Sequence, residues 1–491
     1  MKLIAKRATA FAWGIVVAVA MCVGGQAASG AEATIKTEDK TPPAPRVEDV
    51  PLKESVTQYG ITWTFEKPAQ VGQFITGDYW VVGPVTVVSV RPAPAGGRNG
   101  SMVNPKAGPQ QAYDDRLQHY KAGQLAAFPL QLAPGQSLVS TESLGKSGDS
   151  SPEAIGTWTR RNLLRTAAVL TCAREPPPAD AFRPAYVGET KVIWRASQLK
   201  KELLPKLAAP AGVKLPDLKL HERYLQRIWL DTLPRWTSGA MHPVENMPDY
   251  PREMTQIVAD VGLLLLLEDP DKEREPLLRL FVQMGIDYYG IAQSDNQLWQ
   301  DNGGHGSGRK WPIVFAGFML GDEKMMHVKV ASAEDYQTYY GNCWTGAKVC
   351  WGGFHAFDVK QDHEEKPPSA WTADGRGKAG DPSKGSVSNA KLEAYRRSCT
   401  SHVWVGEALA VRLLGLEKAW GHPAFFDYVD RWMFEDDAEF SRTIVEACDP
   451  YFGKNIGFRQ QTIKDPFVEA LWTKYRPTLG PTDGWKKEHM N

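Results

Sequence analysis

Apolar and polar positions along the chain follow two different rhythms. From about Val56, Ile61, Trp63 and Phe65 alternate with Thr62 and Thr64. A period of two puts successive side chains on opposite faces of a strand, so this stretch predicts a half-buried β-strand. Phe74–Val82 and Val85–Val90 read as further strands split by Gly83-Pro84, and Leu138–Ser140 and Ala167–Cys172 continue the theme. Gly and Pro punctuate the intervals, most densely over Pro92–Gly100. Beyond Leu203 the spacing lengthens. Leu220, Tyr224, Ile228 and Leu230 fit a helix, and Met254, Ile257, Val258, Val261, Leu264 and Leu265 recur at i, i+3, i+4 and i+7. Leu277–Met284, Ile313–Leu320, Val403–Leu416 and Phe425–Phe434 predict more helices.

The expected architecture is therefore multidomain α and β. An N-terminal antiparallel β-sandwich-like domain is expected over residues 51–200. Residues 201–491 should form an antiparallel helical toroid or incomplete barrel of the (α/α) kind, whose inner ends can line a groove. Residues 361–389 are polar and rich in Gly, Pro and Lys, which suits an exposed insertion or flap.

The first residues follow another pattern. Lys2, Lys6 and Arg7 precede an uncharged apolar run, Ala8–Val23, and then a small-residue stretch, Gly24–Ala33. This is the order of a secretory signal, with cleavage expected after Ser29-Gly30-Ala31. Residues 1–31 would be removed and 32–50 would form a flexible leader, placing the protein in the periplasm or outside the cell. The competing reading is a retained anchor, but the run is short for a ~20-residue span. Met21 before Cys22 disfavours a lipidated cysteine. No later stretch is long enough to span a bilayer, so the mature chain is expected to lack an integral membrane span.

Charge narrows the partners. Lys+Arg and Asp+Glu are both 57 among 491 residues, so no bulk field favours nucleic acid, and an acidic substrate needs a local basic cleft. Without Cys22 five cysteines remain: Cys172, Cys343, Cys350, Cys399 and Cys448. An odd number leaves at least one unpaired within a monomer. No C-x-x-C pairs suggest a zinc site, and no metal or cofactor is expected.

Four segments carry candidate chemistry. In Trp299–Trp311 (WQDNGGHGSGRKW) four glycines in six residues bring backbone close to something. Asn302, His305, Arg309 and Lys310 offer donors for a carboxylate, with Arg309 able to bind it bidentately. Trp299 and Trp311 offer faces for stacking on sugars, and the following helix start favours an anion. An ordinary Gly-rich turn with a capping His competes with this reading. There is no G-K-[ST], which excludes a phosphate loop.

In Glu393–Trp404 (EAYRRSCTSHVW) Tyr395 stands beside Arg396 and Arg397, whose charge would favour phenolate and hence a general base; His402 lies nearby. A core tyrosine at an ordinary helix start is the alternative. Met241–Pro248 (MHPVENMP) places His242, Glu245 and Asn246 in a loop before a strong helix, where Glu245 could share a proton with a substrate carboxyl. Tyr339–Trp344 and Trp351–His355 are rich in aromatics and glycine, with Tyr340 and Trp344 as sugar-stacking candidates. No H-E-x-x-H, G-x-S-x-G or EF-hand loop occurs.

Together these segments resemble a polysaccharide lyase family, the thirty-eighth, with an (α/α) toroid fold and activity on alginate and glucuronan. The resemblance rests on Asn302–Lys310 (NGGHGSGRK) with the following WPIVFAG, on Tyr395–Val405 (YRRSCTSHVWV) and on Gly77–Pro84 (GDYWVVGP). The insertion at 361–389 departs from the pattern. The resemblance implies β-elimination at a uronic acid in an acidic polysaccharide. Asn302, His305 and Arg309 would neutralise the carboxylate, where fixed donors matter most as charge develops. Tyr395 would act as base and then acid, with Tyr340 or Tyr339 as the next choice, or His305 as base and a tyrosine as acid. Two other classes stay open: a glycoside hydrolase using Glu245 and Asp301 as opposed carboxylic acids, and a non-catalytic carbohydrate-binding protein of the cell envelope.

Overall fold

Strand β1 (Leu52–Gln58) and strand β2 (Ile61–Gln73) form a hairpin that begins the sheet, and β2 is long enough to serve three neighbours. Its first half pairs with β4 (Val85–Arg91), and β1 runs beside it from Ile61 as far as Gln70. Past Pro68 its last residues, Val71–Gln73, pair with β3 (Tyr79–Val82) instead. The remaining strands are β5 (Ser101–Val103), β6 (Leu130–Leu132), β7 (Gln136–Ser143) and β8 (Leu164–Ala173). They make an eight-stranded sheet in the order β5-β7-β8-β3-β2-β4-β6, with β1 alongside β2. The β3–β8 pairing is parallel and the others are antiparallel. The expected antiparallel sandwich is thus replaced by one curled, mixed half-barrel sheet. The computed structural model describes residues 42–149, 151, 154, 161–234, 237–299, 303–343, 345–351, 400–436 and 465–489.

The predicted alternation holds in β2, where Ile61, Trp63 and Phe65 are buried and Thr62 and Thr64 are not. The expected strand over Phe74–Val82 is interrupted. Phe74 N donates to Asp78 O and Gly77 takes a φ of 92°, so residues 74–78 form a turn before β3. Strand β8 packs on both faces. Ala168 and Leu170 join the core inside the curled sheet, whereas Ala167 and Val169 join the core shared with the helices.

The helical region begins with α1 (Leu218–Leu225), capped by Asp217, whose side chain accepts from Leu220 N. The expected continuation through Ile228 and Leu230 does not form. Asn246 Nδ2 donates to the carbonyls of Arg227 and Ile228, and Leu230 N reaches Met247 Sδ, so the neighbouring loop takes up these backbone groups. Next come α2 (Ser238–Met241), α3 (Pro251–Leu266), α4 (Glu275–Ser294), α5 (Lys310–Leu320), α6 (Glu323–Met326) and α7 (Ala333–Gln337). A short hairpin, β9 (Thr338–Tyr340) and β10 (Val349–Trp351), is joined by a disulfide between Cys343 and Cys350. Helices α8 (Ser401–Leu413), α9 (Glu417–Trp420), α10 (Pro423–Phe434) and α11 (Pro466–Tyr475) follow. Helix α5 is buried all round except at Phe318, the mark of a central helix. Among the described residues no helix is long and apolar enough to cross a membrane.

Candidate functional site

Three long helices bring their N-terminal ends to one place. Gly303–Gly306 form a single 3-10 turn that leads into α5, with Arg309 at its N-cap. Ser307 Oγ accepts from Trp404 Nε1 in the first turn of α8, at 3.1 Å. Gly308 lies against Thr255 near the start of α3. Two of the glycines are required by this packing. A Cβ on Gly306 would collide with the Trp299 carbonyl, and Gly308 has a φ of 83° with Thr255 behind it. The first N–H groups of an α-helix lack intrahelical partners and carry partial positive charge. The starts of α3, α5 and α8 around one turn therefore favour an anion.

Several half-buried groups stand at this end. His305 is half-buried and meets Tyr250 edge-on at 5.0 Å between ring centres. Arg252 lies 5.0 Å over the Tyr250 ring and pairs with Glu253 at 2.7 Å. Burial raises the Glu253 carboxyl above its ordinary range, against the pull of Arg252. His402 is half-buried in the first turn of α8. Imidazole, phenol and guanidinium thus stand at the anion-favouring end, a set able to hold a carboxylate and move a proton.

Beneath the turn the polar groups are internal. Arg309 is fully buried, its Nε donating to Asp231 Oδ2 at 2.8 Å and its Nη1 to Ser307 O at 2.5 Å. His242, also fully buried, places Nε2 at 3.0 Å from Asp231 Oδ1 and Nδ1 at 2.7 Å from Pro248 O. Burial alone would raise the Asp231 carboxyl, but Arg309 and His242 outweigh it and hold it well below its usual range. In this conformation Arg309 and His242 fasten the turn to the 231 and 248 segments and do not face solvent.

On the other side of the turn, Glu334 Oε1 accepts from Gly308 N at 2.6 Å. Burial pushes this carboxyl up to about 7. Fully buried Glu407, on α8, has neither oxygen within hydrogen-bond reach of a donor among the described residues, and burial followed by the nearby Glu334 charge raises it well above the ordinary range. The nearby Lys310 ammonium is instead paired with Asp335 and donates to Trp420 O at 2.7 Å.

Comparison with protein-family models, with curated proteins and with solved structures finds no match. The site is therefore judged on its own geometry.

The other expected site residues fall into three groups. Glu245 and Asn246 are fully buried. Glu245 accepts from Ser151 and from Arg165 Nε, both at 2.7 Å, and from Arg227. Burial opposes its ionisation, but these three bonds prevail and lower the carboxyl. Trp299 is buried against Tyr288, with ring centres 5.3 Å apart, and presents no open face. Tyr340 donates to Asp427 at 2.8 Å under a stacked His489; burial and then Asp427 raise its phenol, which disfavours a phenolate there. Asp301, Asn302, Trp344, Tyr395, Arg396 and Arg397 lie outside the described residues.

The sequence pattern alone did not single out Tyr250, Arg252, Asp231, Glu334 or Glu407. Two of these have a local signal. Tyr250 precedes a Pro at the first position of α3, a helix-start mark. Glu407 is the one acid in the otherwise apolar run HVWVGEALAV. Among the described residues no group of three His, Cys, Asp or Glu side chains is placed to hold a metal ion.

Proposed function

We propose that the chain is an exported polysaccharide lyase that cleaves a uronic-acid polymer of the glucuronan or alginate kind by β-elimination. The observation that carries this reading is the convergence of three helix starts on the turn that presents His305, with Tyr250 against it. The C5 proton of a uronate becomes removable only when the neighbouring carboxylate is neutralised. Helix-start N–H groups supply that neutralisation without moving, which is where fixed dipoles contribute most. His305 and Asn302 complete the donor set in this proposal, and Arg309, through Asp231 and Ser307 O, holds the turn in shape.

A base then takes the C5 proton and an acid delivers one to the leaving O4. In β-linked glucuronate and mannuronate these atoms lie on one ring face, so one tyrosine can serve both steps. Tyr395 remains the first choice, flanked by Arg396 and Arg397. His305 is the alternative base, and Tyr250 then joins as acid. The same proposal takes the helical region as part of an (α/α) toroid, supported by consecutive α4 and α5 packing closely at Gly285 against Pro312 and Ala316. Export rests on the basic, apolar and small-residue order of residues 1–31. The hydrolase alternative loses support because Glu245 is fully buried, with its oxygens taken by Ser151, Arg165 and Arg227, and so does not face a substrate.

The test is incubation with glucuronan, alginate, pectin and glycosaminoglycans, read by the ultraviolet absorbance of the unsaturated product. One uronan should yield it, and His305→Ala should lower that rate by about 10²–10⁴-fold with the fold intact. Shorter chains without unsaturated ends would identify a hydrolase. Binding without any change in polymer length would identify a carbohydrate-binding protein.

A further inference from the structure

A broad groove lies between the C-terminal end of α4 and the segment that leaves α6. Its volume is about 710 Å³, and its wall includes Tyr289, Gln293, Asn296, Lys324, His327 and Lys329. Ala331 N donates to Asn296 O at 2.8 Å and ties the two segments together. Lys324 and Lys329 are exposed, and among the described residues neither ammonium meets a carboxylate. The neighbouring acids hold other groups. Glu323 pairs with His327 at 3.3 Å, and Asp322 caps α6 by accepting from Lys324 N and Met325 N. Asp295, the acid on this wall, accepts from Gln297 N at 2.9 Å. The end of α4 adds about half a negative charge. Two free ammoniums outweigh Asp295 and that helix end, so the wall is left net positive.

The groove also stands close to the Gly-rich turn. Asn296 is three residues from Trp299, whose carbonyl lies against Gly306. Three residues of chain reach at most about 11 Å, so a polymer held at the turn arrives at the groove within a few sugar units. We propose that this groove is a second binding site for an acidic polysaccharide, with Lys324 and Lys329 meeting its carboxylates. Half-buried Tyr289 offers an aromatic face to a sugar ring, and Gln293 and Asn296 offer amides to its hydroxyls. The choice of a uronan as the occupant rests on the function proposed above. In that setting the groove holds the chain beyond the bond being cleaved, which strengthens binding of long polymers and leaves the chemical step alone.

Binding is measured by retardation of the intact protein in native gels cast with alginate, with glucuronan or with neutral dextran. One uronan should retard it and dextran should not. Lys324→Gln combined with Lys329→Gln should weaken that binding by about three- to tenfold, and the difference should fade at high salt. Lys206→Gln combined with Lys214→Gln removes the same charge from exposed positions outside the groove and should bind as wild type does. Poly-glutamate offers carboxylates without sugar rings and should bind more weakly than the uronan. Equal binding by the two double variants, or no retardation by either uronan, overturns the groove. Equal binding of poly-glutamate overturns the assignment to a polysaccharide. Release of unsaturated product separates these results from the lyase reading. A protein that binds through the two lysines but yields no product keeps the groove and loses the lyase. One that yields product, with binding unchanged in the groove variant, keeps the lyase and loses the groove.

Discussion

Two buried polar regions of this protein solve the same problem in opposite ways. At the seam between sheet and helices, carboxylates meet arginines. Arg183 reaches Asp78 in the β2–β3 turn and Asp287 on α4, while Arg165 on β8 and Arg227 both hold Glu245. Under the Gly-rich turn, Glu334 and Glu407 are equally buried but take no bond from a cation among the described residues. A buried charge is tolerable when paired, and otherwise the group changes its protonation state. The seam therefore keeps its charges and acts as a fixed joint. On the floor of the turn burial raises both carboxyls instead, and Glu334, near 7, responds to pH near neutrality.

The harshest way to break this contrast is Arg183→Met. It strands Asp78 and Asp287 in the interior, and removing one partner of a buried pair costs about 3–5 kcal/mol. Denaturant unfolding should show a loss of that size. A cost below about 1 kcal/mol, the scale of an exposed pair, would place the seam in the same class as surface ion pairs.

A gentler change sharpens the other half. Glu334 has an ordinary value of 4.5 and sits near 7 in the folded chain. Between those values the folded state keeps a proton that the unfolded state has released. Its contribution to stability is therefore complete below about pH 4.5 and disappears as pH rises through 7. Glu334→Gln keeps an oxygen for Gly308 N but cannot titrate. Relative to wild type it should gain stability as pH rises across that window, by roughly 1–3 kcal/mol at its upper end. Thermal unfolding at a series of pH values measures this, and parallel curves for the two proteins would mean that Glu334 is not the titrating group.

The smallest effect is expected at the half-buried edge. Tyr340→Phe removes one hydrogen bond to Asp427 and keeps the ring under His489, so about 1 kcal/mol should be lost and turnover kept. Loss of turnover in a folded Tyr340→Phe protein would instead move the base to this residue.

How far the sequence reveals these features depends on the range of the forces involved. The strand at Ile61–Phe65 and the helix at Met254–Leu265 are set by side chains within a few positions, and both are readable locally. The helical spacing through Ile228 and Leu230 is equally regular, yet Asn246, 18 residues on from Ile228, claims the Ile228 carbonyl. Arg309 and Trp299 looked like open donors and stacking faces because a Gly, Arg and Lys segment usually lies at a surface. The burial of Arg309 depends on Asp231, 78 residues away, and that of Trp299 on packing against Tyr288 on the preceding helix, neither of which the local pattern reveals. Glu407 was readable as a lone acid in an apolar run. What the run could not convey was that Lys310, whose charge acts on Glu407, is already taken by Asp335.

Strand β8 carries a consequence for the history of this chain. Its even-numbered Ala168 and Leu170 complete one interior and its odd-numbered Ala167 and Val169 another. A wall common to two rooms cannot be moved for the benefit of one. A slip of one residue would exchange the two sets of side chains, trading Leu170 for Ala167 or Val169 on faces already filled. Substitutions along β8 are thus judged by both interiors at once, and the sheet cannot drift in register or be lent to another protein without the helices that finish its second face.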